Sequence, residues 1–405
     1  LNADKNDYTC FFTGSGTTAG INRLARVFRD YRKDRTKVLV SLMEHHSNDL
    51  PHRKHADEVI HIPLNNYGKN VGCISIKDIE THLKQNESQV NYVAVTGVSN
   101  VTGIINPIYE IAELAHSYGA FIIVDGAQMV SHIPVNISAH ENSERNIDAF
   151  VFSGHKTYVP GSPGVVICRK DILQSIEPEE VGGGMVDKVF VDRYEVTKKF
   201  PDREEAGTPN IPGGIGLAAV LESLDSVGMG LIHDEETKLI NYALDKLKTL
   251  SEIHIYGETD INVCPRAGSI SFNIKGMDHG LTAAILNDYF NIAVRNECFC
   301  AHPYVKEMII DDLLESTADI DEANFDEEIF LKSGMVRVSV GIYNTKDDID
   351  SLIFALKEII LRKDELSSLY SSNSTGDYFH TSFKSGDVDC FTIKSFIQSY
   401  WNTLP

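Results

Sequence analysis

Cations are scarce in this chain: 37 Lys and Arg stand against 58 Asp and Glu, a formal charge of -21. That balance disfavours nucleic acid and anionic membranes as partners, while local cations still hold a small anionic substrate. Apolar runs of membrane-spanning length are missing, and no signal peptide is visible. Cys-x-x-Cys is also missing. The seven cysteines are Cys10, Cys73, Cys168, Cys264, Cys298, Cys300 and Cys390. Their odd number and their spacings do not suggest a disulfide framework. Cys168 and Cys264 read as ordinary core or near-surface thiols, and a reducing cytoplasm is the simplest compartment. No Cys/His pair at ligand spacing accompanies Cys298-Phe-Cys300, so no metal site is expected. The first residue is Leu, so the start reads as processed, truncated or simply not given.

At 405 residues the chain exceeds one compact core, and two domains are expected. The middle alternates strand and helix patterns. Lys37-Val-Leu-Val-Ser-Leu42, Asn91-Tyr-Val-Ala-Val95, Phe121–Val124, Ala149–Phe152 and Gly164–Cys168 are apolar and β-branched. A helix is predicted from Pro107 to Tyr118, with Pro near its start and Gly119 at its stop. Buried strands separated by helices predict a mostly parallel α/β sheet. In such sheets ligands gather at the carboxyl ends of the strands. The polar clusters Met43–Asn48 and Thr96–Gly103 fall at such ends.

Two further residues at strand ends carry chemistry. Asp125 closes the run Ala120-Phe-Ile-Ile-Val-Asp125, and Lys156 follows Phe152-Ser-Gly-His155. A Lys amine forms a Schiff base with pyridoxal 5'-phosphate (PLP). A carboxylate holds the pyridine nitrogen protonated, which makes the ring an electron sink. Ser153 and His155 are within reach of a phosphate. Near the start, Phe12-Thr-Gly-Ser-Gly-Thr-Thr-Ala-Gly20 precedes a predicted amphipathic helix, Ile21 to Tyr31. Small residues before a helix N-terminus form either an ordinary turn or an anion cradle. Opposite a Schiff-base Lys, the cradle is the reading adopted.

On these residues the chain resembles the class V aminotransferase group of fold-type I PLP enzymes, within its cysteine desulfurase and selenocysteine lyase branch. The resemblance runs from about Phe11 to about Leu361. It implies an α/β fold: a large domain with a mostly parallel sheet, residues 1–230, and a smaller α+β domain, residues 231–361. It also implies site roles. Thr17, Thr18, Ser153 and His155 would contact the phosphate, and Thr208 would reach the phosphate of a neighbouring subunit in a homodimer. His45, of the Glu44-His45-His46 motif, would stack on the cofactor ring and help move protons. Asp125 and Gln128 would meet the pyridine nitrogen and the phenolate oxygen. Asn100 would lie near the phenolate and the substrate carboxylate. Lys156 would carry the cofactor.

The last third supplies the rest. Ile292-Ala-Val-Arg-Asn-Glu-Cys-Phe-Cys-Ala-His-Pro303 resembles the family segment in which a nucleophilic Cys follows an Arg by five residues, giving Arg295 and Cys300. Arg337 in Gly334-Met-Val-Arg337 would grip the substrate α-carboxylate as a fork. Cys298 would be a packing residue or a relay. The expected reaction releases alanine from L-cysteine or L-selenocysteine, leaves a persulfide on Cys300, and passes the sulfur to a protein acceptor. A class V aminotransferase or other PLP lyase without a Cys nucleophile, and a molybdenum cofactor sulfurase-like transferase, are the alternatives. Three departures are noted. The several dozen residues that precede the Gly-Thr-Thr loop in family members are not seen here. Residues 311–330 form an acidic insertion. Residues 362–405 extend past the usual end.

Overall fold

A computed structural model describes residues 1–65, 68, 70–316 and 333–382. Seven strands form the main sheet: β1 (Tyr8–Thr13), β2 (Lys37–Ser41), β3 (Glu58–Ile62), β4 (Val90–Thr96), β5 (Phe121–Asp125), β6 (Ala149–Ser153) and β7 (Gly164–Arg169). Their order is β1-β7-β6-β5-β4-β2-β3. The five strands from β6 to β3 pair in parallel, while β7 runs antiparallel to both β6 and β1. The central strands are buried along their whole length, as a parallel sheet covered on both faces requires.

The first helix runs from Gly16 to Tyr31, five residues earlier than its apolar periodicity predicts. Ser15 sits at its N-cap position, so the Gly-Thr-Thr run forms the first turn and does not precede the helix. One face, including Ile21, Leu24, Ala25 and Phe28, is buried on the sheet. Ile21, Leu24 and Phe28 each contribute roughly 1.5–3 kcal/mol. Gly20 lets the helix approach closely: a Cβ there would fall 2.6 Å from a Val151 methyl and 2.8 Å from a Val166 methyl. The helix expected at 107–118 spans Ile108–Ser117, and Gly119 ends it with φ of 67°.

A second core surrounds the antiparallel sheet β10-β11-β12 (Ile253–Ile255, Ser269–Ile274, Val336–Ser339). Helices Met229–Leu247, His279–Phe290 and Lys346–Leu361 pack on it. Between β7 and this core lies an exposed hairpin, β8 (Val186–Val189) with β9 (Tyr194–Val196). The extension past Leu361 begins with a short helix, Lys363–Ser367, and a hairpin of β13 (Tyr370–Ser372) and β14 (Tyr378–His380). Residues 311–316 of the acidic insertion continue the helix His302–Ser316; the rest of it, and the aromatic run 391–401, lie outside the described residues. Among the described residues, no single helix is long and apolar enough to cross a membrane.

One sequence expectation is overturned. Cys264 is not an ordinary thiol: its sulfur is bonded to that of Cys73, and both residues are buried. The two lie 191 positions apart, so no local spacing reveals the pair. The fold brings them together by seating the loop around Gly72 on the loop around Glu258, where Glu258 N–H donates to Val71 O.

Candidate active site

Helix start, strand end and turn converge first. Ser153, the last residue of β6, accepts a hydrogen bond from Thr17 N–H at 2.9 Å and pairs with the Thr17 hydroxyl at 2.8 Å. The Thr18 hydroxyl lies 2.6 Å from that of Ser47. Gly16 has φ of 59°, and a Cβ there would stand 2.7 Å from Ser153 Oγ and 3.4 Å from the His155 ring. Only glycine leaves this space open, and hydroxyls and a helix N-terminus surround it.

Asp125, at the end of β5, is buried and accepts from Ala127 N–H at 2.9 Å. Burial pushes its carboxyl above the usual range, against the pull of Ala127 N–H and the Lys156 charge. A cationic partner would favour the ionised form. Lys156 ends the single helical turn Gly154–Lys156 after β6. The residue is exposed, yet the surrounding protein still desolvates its amine. Desolvation therefore lowers its ammonium pKa; Asp125 opposes this, and Arg337 adds to it. Desolvation and Arg337 both favour a free amine.

His45 caps the turn His46–Asn48: its Nδ1 accepts from Ser47 N–H at 3.0 Å. That bond puts the ring proton on Nε2. Burial, then Lys156 and His46, hold the pKa down at about 4, so the ring is neutral. Glu44 fixes this turn to the sheet. It is buried; its carboxylate accepts from Thr96 N–H (2.9 Å) and Asn48 Nδ2 (2.6 Å) and touches the Ser41 hydroxyl. Burial raises its pKa to about 8, although those three bonds lower it.

The sign of the consequence is direct. The folded pKa of Glu44 lies above its ordinary value, so the stability it confers is complete below about pH 4.5 and is lost as pH rises through about 8. Unfolding free energy is expected to fall by a few kcal/mol between about pH 5 and 9. Glu44→Gln cannot ionise. It loses that slope, at a cost of roughly 1–3 kcal/mol near neutrality because an amide N–H then faces another donor. Urea titrations across that window check this; equal slopes in the two proteins would contradict it.

A pair of arginines sits where the two cores meet. Arg337 on β12 and Arg295 pair through their backbones, at 2.8 and 3.2 Å. Arg337 Nη1 donates to Asn100 O at 2.6 Å, and its guanidinium lies 5.0 Å from the Phe299 ring centre. Its Nε is buried with no hydrogen-bond partner among the described residues. Burial and the nearby Arg295 bring its pKa down to about 10. An unpaired buried guanidinium N–H beside a second cation suits an anion presented as a fork. Arg337→Lys keeps the charge but not the fork. It is expected to raise KM for the amino-acid substrate at least tenfold while kcat changes less; an unchanged KM would contradict the assignment.

Asn100 Nδ2 holds Phe299 O at 2.8 Å, just before Cys300. Cys298 and Cys300 do not face the same way. Cys298 is buried, donates its thiol to Ser333 O at 2.7 Å, and has its pKa pushed up to about 11 by burial. Cys300 is exposed and lies within electrostatic range of Lys156.

Two expected site residues lie apart from this network. Thr208 is exposed on the loop before helix Ile211–Val227, and Gln128 is half-buried in the turn after Asp125. Three contributors escaped the sequence reading: Glu44 and Phe299, through the contacts above, and His302, whose Nδ1 lies 2.9 Å from His46 Nε2. The Glu-His-His and Ala-His-Pro runs were visible, but neither shows what its side chains touch.

The class-V aminotransferase family model matches residues 1–352. The chain belongs to the aminotransferase class-V family. A probable cysteine desulfurase of Halalkalibacterium halodurans is 36% identical over 349 residues, 85% of this chain and 76% of that protein. A cysteine desulfurase of Shigella sonnei is 34% identical over the same shares. Among solved structures, the apo cysteine desulfurase of Thermococcus onnurineus NA1 aligns with a TM-score of 0.73 at 30% identity, over 87% of this chain and 79% of that one. The S-sulfonic acid form of the Escherichia coli desulfurase CsdA aligns at 0.71 and 27% over the same shares. This class-V enzyme is therefore PLP-dependent, and its residues fit the cofactor. Gly16 leaves a cradle that a Cβ would fill, Asp125 is a buried carboxylate, and Lys156 is an amine with a lowered pKa.

Proposed function

We propose that this class-V enzyme is a cysteine desulfurase that takes sulfur from L-cysteine, or selenium from L-selenocysteine, with Cys300 as its nucleophile. The observation that carries this reading is the exposed Cys300 thiol within electrostatic range of Lys156, beside the Arg295–Arg337 pair. Thr17, Thr18, Ser153 and His155 would hold the cofactor phosphate, Asp125 and Gln128 its ring, and Lys156 its aldehyde. When bound there, PLP supplies a sink for the electron pair left as the substrate Cα–H bond breaks.

The chain's own residues do the rest. Arg337, with Arg295, grips the substrate carboxylate, and Asn100 orients it. Lys156, favoured as the free amine, receives the Cα proton. Neutral His45 would lie against the cofactor and handle a proton through Nε2. The Cys300 thiolate attacks the substrate sulfur: the new S–S bond forms as the carbon–sulfur bond breaks, and that bonding pair stays with the substrate carbon, which leaves as alanine. The persulfide on Cys300 then passes to an acceptor. We place this chemistry in the cytoplasm, where exposed Cys300 stays reduced. The boundary near residue 230 belongs to the same reading, with the second unit carrying Cys300 and Arg337. Purified enzyme given cysteine should release alanine and, with a thiol reductant, an equal amount of sulfide. Keto-acid-dependent amine exchange without alanine would point to an aminotransferase instead.

A homodimer is part of this proposal. Val189, Phe190, Val191 and Tyr194 on the β8–β9 hairpin are exposed, as are Ile211 and Ile215 after the Thr208 loop. Gly207 N–H donates to Gly183 O, which ties that loop to the segment leading into the hairpin. Exposed apolar side chains of this kind suit a second copy, and Thr208 would complete the partner's phosphate site. Sedimentation should find a dimer. Ile215→Asp with Phe190→Asp should shift it to monomer and weaken cofactor retention about tenfold or more; a monomer that keeps full cofactor affinity would contradict it.

A further inference from the structure

The loop that carries Cys300 is held in an unfavourable shape. Glu297, Phe299 and Cys300 all have positive φ, 81°, 50° and 55°. Left-handed conformations are disfavoured for residues with a Cβ, so the surroundings must hold them. Several bonds do so from the buried side: Asn100 Nδ2 to Phe299 O, Cys298 Sγ to Ser333 O, and Ala301 N–H to Cys298 O at 2.8 Å. At the exposed side, the fastening comes from His46. Its backbone N–H donates to Cys300 O at 2.7 Å. Its ring Nε2 lies 3.3 Å from His302 N–H and 2.9 Å from His302 Nδ1. The two rings stack with centres 4.7 Å apart and planes 18° apart. His302 is exposed, so burial of apolar surface does not drive this contact.

We propose that His302, through its bond to His46, is a positioning residue that clasps the Cys300 loop to the Glu44–Asn48 turn and keeps the thiol turned toward Lys156. This rests on the reading of Cys300 as the nucleophile. His302 acts by restricting a strained segment that the other contacts hold mainly from the buried side. The His302 N–H donates to His46 Nε2, so His46 is unprotonated there; a proton on that nitrogen removes the acceptor of the His302 backbone N–H and loosens the clasp. The charged and titratable groups facing His46 are His45, His302, Asp49, Arg53 and Cys300. Burial, His302 and Arg53 keep His46 neutral to lower pH than a free imidazole, against Asp49. The clasp is closed near neutrality and opens in acid.

The test uses the cofactor-loaded enzyme and reads Cys300 itself. Labelling by 2,2'-dithiodipyridine, relative to free cysteine in the same buffer, is followed at Cys300 by peptide mass spectrometry from pH 5 to 8. His302→Ala should label Cys300 about threefold or more faster near neutrality. It should also lower kcat for cysteine about tenfold, with KM and the cofactor absorbance unchanged. Wild type should approach the fast rate as the pH falls toward the acid end of that range, a change absent from His302→Ala. His302→Asn, which keeps an N–H donor near the Nδ1 position, should restore slow labelling near neutrality. Equal Cys300 labelling of wild type and His302→Ala at every pH, or His302→Asn as fast as His302→Ala, overturns the clasp. Full desulfurase activity in Cys300→Ser would sink the functional reading instead, and the labelling would still decide whether the clasp exists.

Discussion

Lys156→Ala is expected to abolish turnover of cysteine, by a thousandfold or more, and to remove the borohydride-reducible bond between protein and PLP. Two roles are lost at once: the amine that binds the cofactor aldehyde and the base for the Cα proton. Proton transfer by a positioned side chain alone accounts for about 10²–10⁴ in rate. The effect on the fold should be small. Lys156 is exposed and ends a single helical turn, and its surroundings disfavour its charge on balance despite Asp125. The variant should therefore purify folded and still retain PLP loosely through Ser153, Thr17 and Asp125. Lys156→Arg makes the distinction sharper: charge remains, nucleophilicity does not, and activity should stay lost. Borohydride trapping of PLP on a different lysine of the wild-type protein would refute the assignment.

The strands were legible because runs such as Asn91–Val95 and Phe121–Val124 are long, apolar and β-branched, and polar residues stop them at the carboxyl edge. That edge is where Asp125, Ser153 and Glu44 gather, so much of the cofactor end could be read along the chain. Strand direction could not. The run Gly164–Cys168 looks like its neighbours, yet β7 is antiparallel, because side-chain alternation is the same in either direction. The first helix started early because the Thr17 N–H bond to Ser153 and close packing of Gly20 outweigh the weak helix propensity of Gly and Thr. Glu44 was visible in its motif, but only the fold shows a carboxyl enclosed by Ser41, Asn48 and Thr96. The Cys73–Cys264 bond and the His46–His302 contact join residues 191 and 256 positions apart. No local pattern reports pairs that distant.

Cys300→Ser is expected to end sulfur release from cysteine, again by a thousandfold or more, with the cofactor absorbance intact; Cys298→Ser should keep most of the activity. The two thiols sit two residues apart and are chemically opposite. Cys298 donates to Ser333 O, and burial holds its pKa up at about 11, so little of it is thiolate near neutrality. A thiol in that state neither attacks nor leaves readily. Cys300 is exposed, reached by a turn of left-handed residues that separates its side chain from that of Cys298. A serine hydroxyl at position 300 keeps the shape and most of the hydrogen bonding, but its far higher pKa leaves no anion to attack sulfur. Selenocysteine offers a separate check. Its selenium leaves with less help, so Cys300→Ser should retain more activity toward selenocysteine than toward cysteine. After wild-type enzyme is mixed with cysteine, mass spectrometry should find one added sulfur on the peptide at Cys300. Added sulfur on Cys298, together with an active Cys300→Ser variant, would reverse the roles of the two thiols.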